Sequence, residues 1–387
     1  MGAIWTPLPP SPSGIADYAA TIYGRGEEFA AARFVAKASE ERAYERAIAP
    51  DDPSAESGGV LLQIGNNVHH DYIYRRALKG GAVVEMHDLS LHHLHTELTL
   101  ARGDFDGYRT GLEASEGEWG RRFAYQRAKG YYSPNLEFHA RLNKAVAERA
   151  SAVIVHSRWA RMQLEMQGVA APVYVVPHYA LPVEASPARA ADKAGARRIL
   201  GLNDDAFVIL SAGYVTRAKK VEWTLDAFER IAAERPEAML VIAGACEYEP
   251  VTRKIASSQY RDRIRVAGYL SDAEFCDYTL AADALPVMRF PSAGESSGVA
   301  SRALGFGRLV IAPELMAFSD LSDEHCEKIH LDGDPVDQLE AILRRWMDDR
   351  GGLAAKERAI RDWAADELSP EVLRKELAAI VNWHWTT

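Results

Sequence analysis

Short apolar runs alternate with helical segments along this chain, in two successive series. Alternation of this kind is typical of parallel sheets, whose strands are joined by right-handed crossovers through helices. The chain is therefore predicted to be an α/β protein with two sheets. The predicted strands are Val60–Ile64, Ala82–Met86, Ala152–Val155 and Val173–Val176, and then Val208–Ser211, Ala238–Ile242, Ile264–Ala267, Ala284–Met288, Leu309–Ile311 and Lys328–Leu331.

The length of the chain supports two domains. A chain of 387 residues exceeds what one hydrophobic core ordinarily serves. The best linker is the stretch 181–196, where two prolines lie among many alanines. We therefore predict a first domain over 1–180, a second over 197–368 and a final helix over 369–387. Whether that helix crosses back to the first domain is left open.

Charge and cysteine usage narrow the function classes. The formal net charge of −10 argues against nucleic acid as the main partner. The three cysteines lie far apart and follow no disulfide or metal pattern, which fits a reducing compartment. No apolar stretch reaches the roughly 18–20 residues of a membrane span. We expect a cytoplasmic protein, with peripheral contact to the inner face of the membrane left open.

The stretch from Gly294 to Ile311 carries the central candidate site. Ser296 or Ser297 can cap a helix that starts near Gly298, and the first amides of such a helix suit an anion such as a diphosphate. Glu295 comes directly before them, and its carboxylate suits the hydroxyls of a ligand better than its phosphates. A capped helix with an acidic residue near its dipole is the alternative. These residues alone leave both interpretations open.

Further candidates follow other predicted strands or open helices. Arg217 and Lys219 come after the first strand of the second series, where they can neutralise a diphosphate or simply form a solvated turn. His87 ends a strand of the first series, where parallel sheets bind ligands. Gly14 opens a helix after a proline-rich loop and can line a cleft or make a tight turn.

Two patterns that invite a metal interpretation are weak. The histidines that follow His87 lack the spacing of a zinc motif, and the Asp-x-Asp triplets at 104–106 and 332–334 are better explained as turns and helix starts. We predict no metal.

The aromatic and basic segment 104–136 either faces a polar acceptor or a bilayer surface, or forms two helices whose arginine stems cover the core. The second interpretation is favoured.

Taken together, these motifs resemble those of the GT4-type retaining glycosyltransferases, which have the GT-B fold of two Rossmann-like domains facing across a cleft. The resemblance covers nearly the whole chain and is greatest to the subgroup acting in surface polysaccharide assembly. The residues that carry it are Pro7–Pro10, Ser13–Tyr18, His87–Leu89, Val155–Ser157, Gly213–Lys219, Gly294–Gly298 and Arg302–Leu304.

The resemblance implies roles for the candidates. Lys219, with Arg217, would bind the diphosphate of a nucleotide sugar donor, and Glu295 would contact the donor sugar. His87 would lie by that sugar, and Gly14 in the loop facing the acceptor. The amides that would touch the sugar or phosphate are those of Ser296, Ser297, Gly298 and Val299. No metal and no cofactor besides the donor is implied.

The sequence departs from the family pattern at several places: the stretch 314–321 lacks a glycine that is common there and has Asp320 where glutamate is usual, and two further departures concern the donor. The family usually has a second glutamate eight residues after the first, where it holds the ribose, but Ala303 stands there with Arg302 beside it. Tyr214 stands where many relatives have a phosphate-binding arginine, and Arg217 is the candidate to compensate. Ribose and base recognition are therefore open.

The sequence predicts a retaining glycosyltransferase that moves a hexose-type sugar from a nucleotide diphosphate to a glycan or lipid-linked glycan acceptor. The absence of the second glutamate motivates a non-enzymatic alternative, a GT-B protein that binds nucleotide sugars or scaffolds a complex. A sugar-nucleotide epimerase or phosphorylase on the same fold is a third interpretation.

Overall fold

The chain forms two compact units in a computed structural model that describes residues 2–37, 44–131 and 133–386. The first unit comprises Met1–Pro177, Pro291–Ser296 and Pro370–Thr387, and the second comprises His178–Phe290 and Ser297–Ser369. Each unit contains one parallel sheet flanked by helices. The prediction of an α/β chain with two parallel sheets is confirmed.

The sheet of the first unit has seven parallel strands in the order β3-β2-β1-β4-β5-β6-β7. The four predicted strands are present as β4 to β7, and three were missed. The missed strands are two to four residues long and lie beside a proline-rich loop or among polar residues, so they show no usable periodicity. The strands are β1 Gly2–Trp5, β2 Arg33–Val35, β3 Ala47–Ile48, β4 Gly59–Ile64, β5 Val83–Met86, β6 Ala152–Val155 and β7 Val173–Val175.

The sheet of the second unit has six parallel strands in the order β10-β9-β8-β11-β12-β13. All six were predicted, although the last begins two residues earlier than expected, at Cys326. Residues along β8 alternate between two hydrophobic clusters, Val208 and Leu210 in one and Phe207 and Ile209 in the other, because helices cover both faces. The strands are β8 Phe207–Ala212, β9 Ala238–Ala243, β10 Ile264–Gly268, β11 Ala284–Pro286, β12 Leu309–Pro313 and β13 Cys326–Ile329.

Helices connect the strands, and several begin at residues whose side chains cap them. Ser157 accepts a hydrogen bond from the Ala160 amide, and Ser271 forms a reciprocal capping box with Glu274. The helices are α1 Gly14–Ile22, α2 Asp71–Ala77, α3 His92–Leu98, α4 Phe105–Ala128, α5 Lys144–Ala147, α6 Arg158–Met166, α7 Lys193–Leu200, α8 Val221–Ala232, α9 Glu249–Ser257, α10 Asp272–Ala281, α11 Gly298–Gly305, α12 Pro335–Asp348, α13 Arg350–Glu367 and α14 Pro370–Thr386.

Helix α7 starts inside the predicted linker 181–196, because the Asp192 side chain caps it by accepting from the Gly195 amide at 2.7 Å. Helix α4 covers most of the aromatic and basic segment and bends at Gly117. Its Tyr108 and Phe123 are buried, which agrees with the favoured interpretation of that segment as helices packed on the core.

Helix α14 packs within the first unit. Its Leu373 and Leu377 are buried, and the Arg374 guanidinium donates to the Thr21 carbonyl at 3.1 Å. The indole of Trp385 lies against the sheet at Gly2 and Gly59, where a Cβ atom would come within 2.3 Å and 1.9 Å of the ring. The two glycines therefore make room for the indole. Throughout the described ranges, no helix combines the length and apolar content needed to cross a membrane.

Candidate active site

A pocket in the second unit lies at the carboxyl ends of β8 and β11. Strand ends at this edge are where parallel sheets bind ligands, because the loops that follow the strands can accept a ligand there. Two cationic side chains and the first turn of helix α11 line it. The lining residues are Ser211, Ala212, Lys219, Pro286, Val287, Met288, Arg289, Ser297 and Val299. We call it the anion pocket.

Lys219 is held in the anion pocket by a turn that depends on glycine. The ammonium donates to the Ala212 carbonyl at 3.1 Å, so the side chain folds back over the end of β8. Gly213 has φ of 89°, and a Cβ atom at this position would lie 2.3 Å from the ammonium nitrogen. Burial, followed by the charge of Arg289, lowers the pKa of Lys219 from 10.5 to about 8.

Helix α11 brings a positive dipole end to the same pocket. Ser297, one of the two serines offered by the sequence, is the N-cap, and its hydroxyl accepts from the Ala300 amide at 3.3 Å. Gly298 is the first helical residue, as predicted from the small residues at this point. Because Ser297 and Val299 line the anion pocket, the helix adds to the positive potential there.

Glu295 lies two residues before the N-cap, in the segment Pro291–Ser296. One carboxylate oxygen accepts from the Ser292 hydroxyl and from the Ala293 amide, both at 2.9 Å. These bonds close a tight turn and hold the carboxylate in one orientation. Glu295 is therefore a preorganised acceptor near the start of α11, and it is not among the residues that line the anion pocket.

The predicted partner of Lys219, Arg217, lies outside the anion pocket. It is exposed on the short turn Arg217–Lys219, whereas Arg289 lines the pocket. Arg289 was not predicted from the sequence, although an arginine directly after the predicted strand Ala284–Met288 was a usable signal. Tyr214 donates its hydroxyl to Glu247 at 3.1 Å.

The position of the missing second glutamate offers no carboxylate. Ala303 is fully buried, and Arg302 contacts Asp272 and covers the ring of Phe275 at 5.1 Å. Any ribose recognition at this unit must therefore use other groups.

In the first unit, a fully buried carboxylate organises the end of β5. Glu85 accepts from the hydroxyls of Tyr18 at 2.9 Å and Tyr23 at 2.7 Å, and from the side-chain amide of Gln63 at 2.8 Å. Burial raises the pKa of Glu85, and these three donors oppose that rise. Gln63 and Glu85 lie inside predicted strands, and the sequence alone indicates no role for either.

His87 joins this network through both ring nitrogens. The Nδ1 atom of His156 lies 2.8 Å from the Val176 carbonyl, which can only accept, so His156 carries its proton there. Burial lowers the pKa of His156 to about 4, so the ring is neutral and its Nε2 accepts from His87 Nδ1 at 3.0 Å. His87 Nε2 then accepts from the Gln63 amide at 3.1 Å. The imidazole of His87 is thereby held in one tautomer within the first unit.

Glu85, His87 and His156 also have ligand atoms within 4.8 Å of one another. Their nitrogens and oxygens are, however, hydrogen-bonded to each other, to tyrosine hydroxyls and to a carbonyl, which is the arrangement of a polar network. His92 likewise contacts the Ala140 carbonyl at 2.7 Å. In the Asp-x-Asp triplets, Asp104 and Asp334 cap helices.

Gly14 is the first residue of α1, after the N-cap Ser13, which accepts from the Ile15 amide at 3.3 Å. It is exposed, and a Cβ atom at this position would meet nothing within 4 Å. The surroundings therefore leave room for a larger residue here, and the acceptor role of Gly14 stays a prediction.

Comparison with known proteins finds a match to a known family within the second half of the chain. Residues 206–349 match the family model described as Glycosyl transferases group 1. A GDP-mannose-dependent monoacylated alpha-(1-6)-phosphatidylinositol monomannoside mannosyltransferase of Corynebacterium glutamicum is 26% identical over 204 residues. That alignment covers 51% of this chain and 52% of the relative, so it spans about half the length of each.

Solved structures of low sequence identity share the whole fold. Anabaena HepE, solved with UDP and with UDP-glucose, has TM-scores of 0.64 and 0.63 at 11% and 12% identity, and the alignments cover 99% of this chain and 100% and 99% of HepE. Sucrose-phosphate synthase of Thermosynechococcus elongatus has a TM-score of 0.66 at 15% identity, with both chains fully covered. These similarities confirm the GT-B fold.

Proposed function

We propose that this chain, which has the GT-B fold and matches the Glycosyl transferases group 1 model over residues 206–349, is a GT4-type glycosyltransferase that transfers a sugar, with retention of anomeric configuration, from a nucleotide diphosphate donor to a glycan or lipid-linked glycan acceptor. The observation that carries the proposal is the anion pocket, where Lys219 and the N-terminus of α11 meet at the carboxyl ends of two parallel strands. A diphosphate is the part of the donor that such a pocket suits, because it carries concentrated negative charge and several acceptor oxygens.

Neutralising the diphosphate is the chemical role of the pocket in this proposal. As the bond between the sugar and the diphosphate breaks, negative charge accumulates on the leaving phosphate. Lys219 and the helix end stabilise that charge without rearranging, because the Ala212 carbonyl and the Ser297 cap hold them in place. A cationic pocket of this kind makes a metal unnecessary for the leaving group. Activity that survives EDTA supports this role, and loss in EDTA with recovery in manganese contradicts it.

Glu295 is proposed to bind hydroxyls of the transferred sugar. Its carboxylate is oriented by Ser292 and Ala293 and lies two residues before the cap of α11. A fixed carboxylate also stabilises the positive charge that develops on the sugar ring as the diphosphate leaves. We propose that His87, held in one tautomer, lies by the donor sugar and that Gly14 faces the acceptor.

The relatives leave the base of the donor open. HepE was solved with UDP and UDP-glucose, whereas the Corynebacterium relative is GDP-mannose-dependent. The first experiment is therefore a calorimetric screen of UDP, GDP, UDP-glucose and GDP-mannose without metal. A proton NMR assay of the product with the bound donor follows, since the anomeric coupling distinguishes retention from inversion. Binding of no nucleotide, or an inverted product, would refute the proposal.

A non-catalytic function is the second candidate, and the absent second glutamate favours it. Ala303 and Arg302 leave that position without a carboxylate for the ribose. Donor binding with neither transfer nor donor hydrolysis, across glycan and lipid-linked acceptors, would support a binding or scaffold protein.

We place the protein in the cytoplasm, with the acceptor there or at the inner face of the membrane.

A further inference from the structure

We propose that Arg289 is the second cation of the diphosphate site and takes the place of the arginine that the family usually has at the position of Tyr214. The assignment rests on the proposed function, because it names a residue that binds the same donor. It replaces the compensation by Arg217 that the sequence suggested. Three independent observations within the second unit support it.

The first observation is that backbone contacts hold Arg289 beside Lys219. The Phe290 amide donates to the Ala218 carbonyl at 2.7 Å. This bond joins Phe290, the residue after Arg289, to Ala218, the residue before Lys219. The Phe290 ring also lies over Trp223 of α8, with 6.5 Å between the ring centroids. The loop after β11 is thereby fastened to the turn that carries Lys219.

The second observation is that Tyr214 and Arg217, the other two residues considered for this role, do not line the anion pocket. Tyr214 is about half exposed and donates to Glu247. Arg217 is exposed and does not line the anion pocket. Arg289 is partly buried and does line it, which makes it the arginine best placed to reach a bound phosphate.

The third observation is electrostatic. The charge of Arg289 acts on Lys219 and lowers its pKa beyond the effect of burial. Two like charges close together are unfavourable in the unliganded protein, and a ligand with two negative groups removes the repulsion. Guanidinium groups bind phosphate oxygens in pairs, whereas an ammonium acts as a point charge. The pair is therefore suited to a diphosphate and less so to a single carboxylate.

Inorganic pyrophosphate is the probe that tests the assignment, because it carries the two phosphates without base or sugar. Its affinity is measured by calorimetry in EDTA for the wild type and for Arg289→Gln, Arg289→Lys, Arg217→Gln and Arg253→Gln. Arg253 pairs with Glu249 on the exposed side of α9 and is the matched control. Thermal melting of each variant checks folding.

Loss of a charge-assisted contact predicts that Arg289→Gln weakens pyrophosphate binding by about 10- to 100-fold. Arg289→Lys retains the charge and loses less. Arg217→Gln and Arg253→Gln change the affinity by less than about threefold, the scale of exposed charges. Wild-type binding declines as the pH rises through about 8, where Lys219 loses its proton. In Arg289→Gln this decline moves to higher pH, because the neighbouring charge is gone.

Failure of the assignment and failure of the proposed function give different results. Wild-type affinity in Arg289→Gln, or an equal or greater loss in Arg217→Gln, overturns the assignment and leaves the proposed function standing. An unmoved pH profile in Arg289→Gln also overturns it, since the two charges then do not share one pocket. If pyrophosphate binding depends on Arg289 while no nucleotide sugar binds, the assignment holds and the proposed function fails.

Discussion

Replacing Lys219 by methionine should stabilise the second unit while removing its ability to bind a diphosphate. Methionine keeps the length and volume of the side chain and removes the charge. The pKa of Lys219 falls from 10.5 to about 8 in the folded chain, and at roughly 1.4 kcal/mol for each pKa unit this is a cost of about 3 kcal/mol. The variant also loses the hydrogen bond to the Ala212 carbonyl, which is worth about 1 kcal/mol.

The free energy of unfolding of the Lys219→Met variant should therefore exceed that of the wild type by about 2 kcal/mol at pH 7. The sign of this difference depends on pH. Below about pH 8, Lys219 is protonated in both the folded and unfolded chains, so the folded chain bears the full cost. Between pH 8 and 10.5 the folded chain has released the proton that the unfolded chain retains, and the cost shrinks. Above pH 10.5 both forms are neutral, and only the lost hydrogen bond remains.

Urea denaturation at pH 7, 9 and 10.5 measures this dependence, with hydrogen exchange of β8 amides assigning the transition to the second unit. Arg253→Met is the control, because that exposed arginine pairs with Glu249 and does not line the anion pocket. A variant at Lys219 that is less stable than the wild type at pH 7 would refute the reasoning. So would a gain in stability that does not change with pH.

Four further predictions concern the anion pocket, Glu295, two buried histidines and the need for a metal. Gly213→Ala should weaken pyrophosphate binding by at least about tenfold, because the new Cβ atom would displace the Lys219 ammonium from a position 2.3 Å away; unchanged calorimetric affinity would contradict this. Glu295→Gln should slow single turnover by about 10²- to 10³-fold while leaving nucleoside diphosphate affinity intact, and an equal loss of affinity would show that Glu295 acts on the nucleotide instead. Burial lowers the pKa values of His70 and His156 to about 4, so between pH 6.5 and 4 only the unfolded chain takes up protons at these two residues. The free energy of unfolding should therefore fall by about 3 kcal/mol for each histidine as the pH drops through this range. In acid titrations followed by circular dichroism, His156→Gln should remove about half of this fall. Transfer activity should persist in EDTA, measured by release of nucleoside diphosphate, and recovery only on adding manganese would implicate a metal.

Local sequence predicted the elements whose signals are contained within a few residues. The apolar runs that became β4 to β13 stand out between helical segments and turn residues, which is why ten strands of the two sheets were predicted. The start of α11 was predicted because a serine before small residues is itself the capping group. Strands β1 to β3 were missed because β1 is followed at once by a proline-rich loop, and β2 and β3 are strands of two or three residues beside charged side chains.

Tertiary structure decided which polar residues belong together. Glu85 lies inside a strand, and only the packing of α1 brings Tyr18 and Tyr23 to it across more than 60 residues of chain. Arg289 lines the anion pocket with Lys219, and a backbone hydrogen bond from Phe290 to Ala218 joins their two loops, which are distant in sequence. Periodicity and capping depend on neighbours in sequence and can be read directly from it. A binding pocket depends on groups from separate strand ends, and folding alone determines which of them meet.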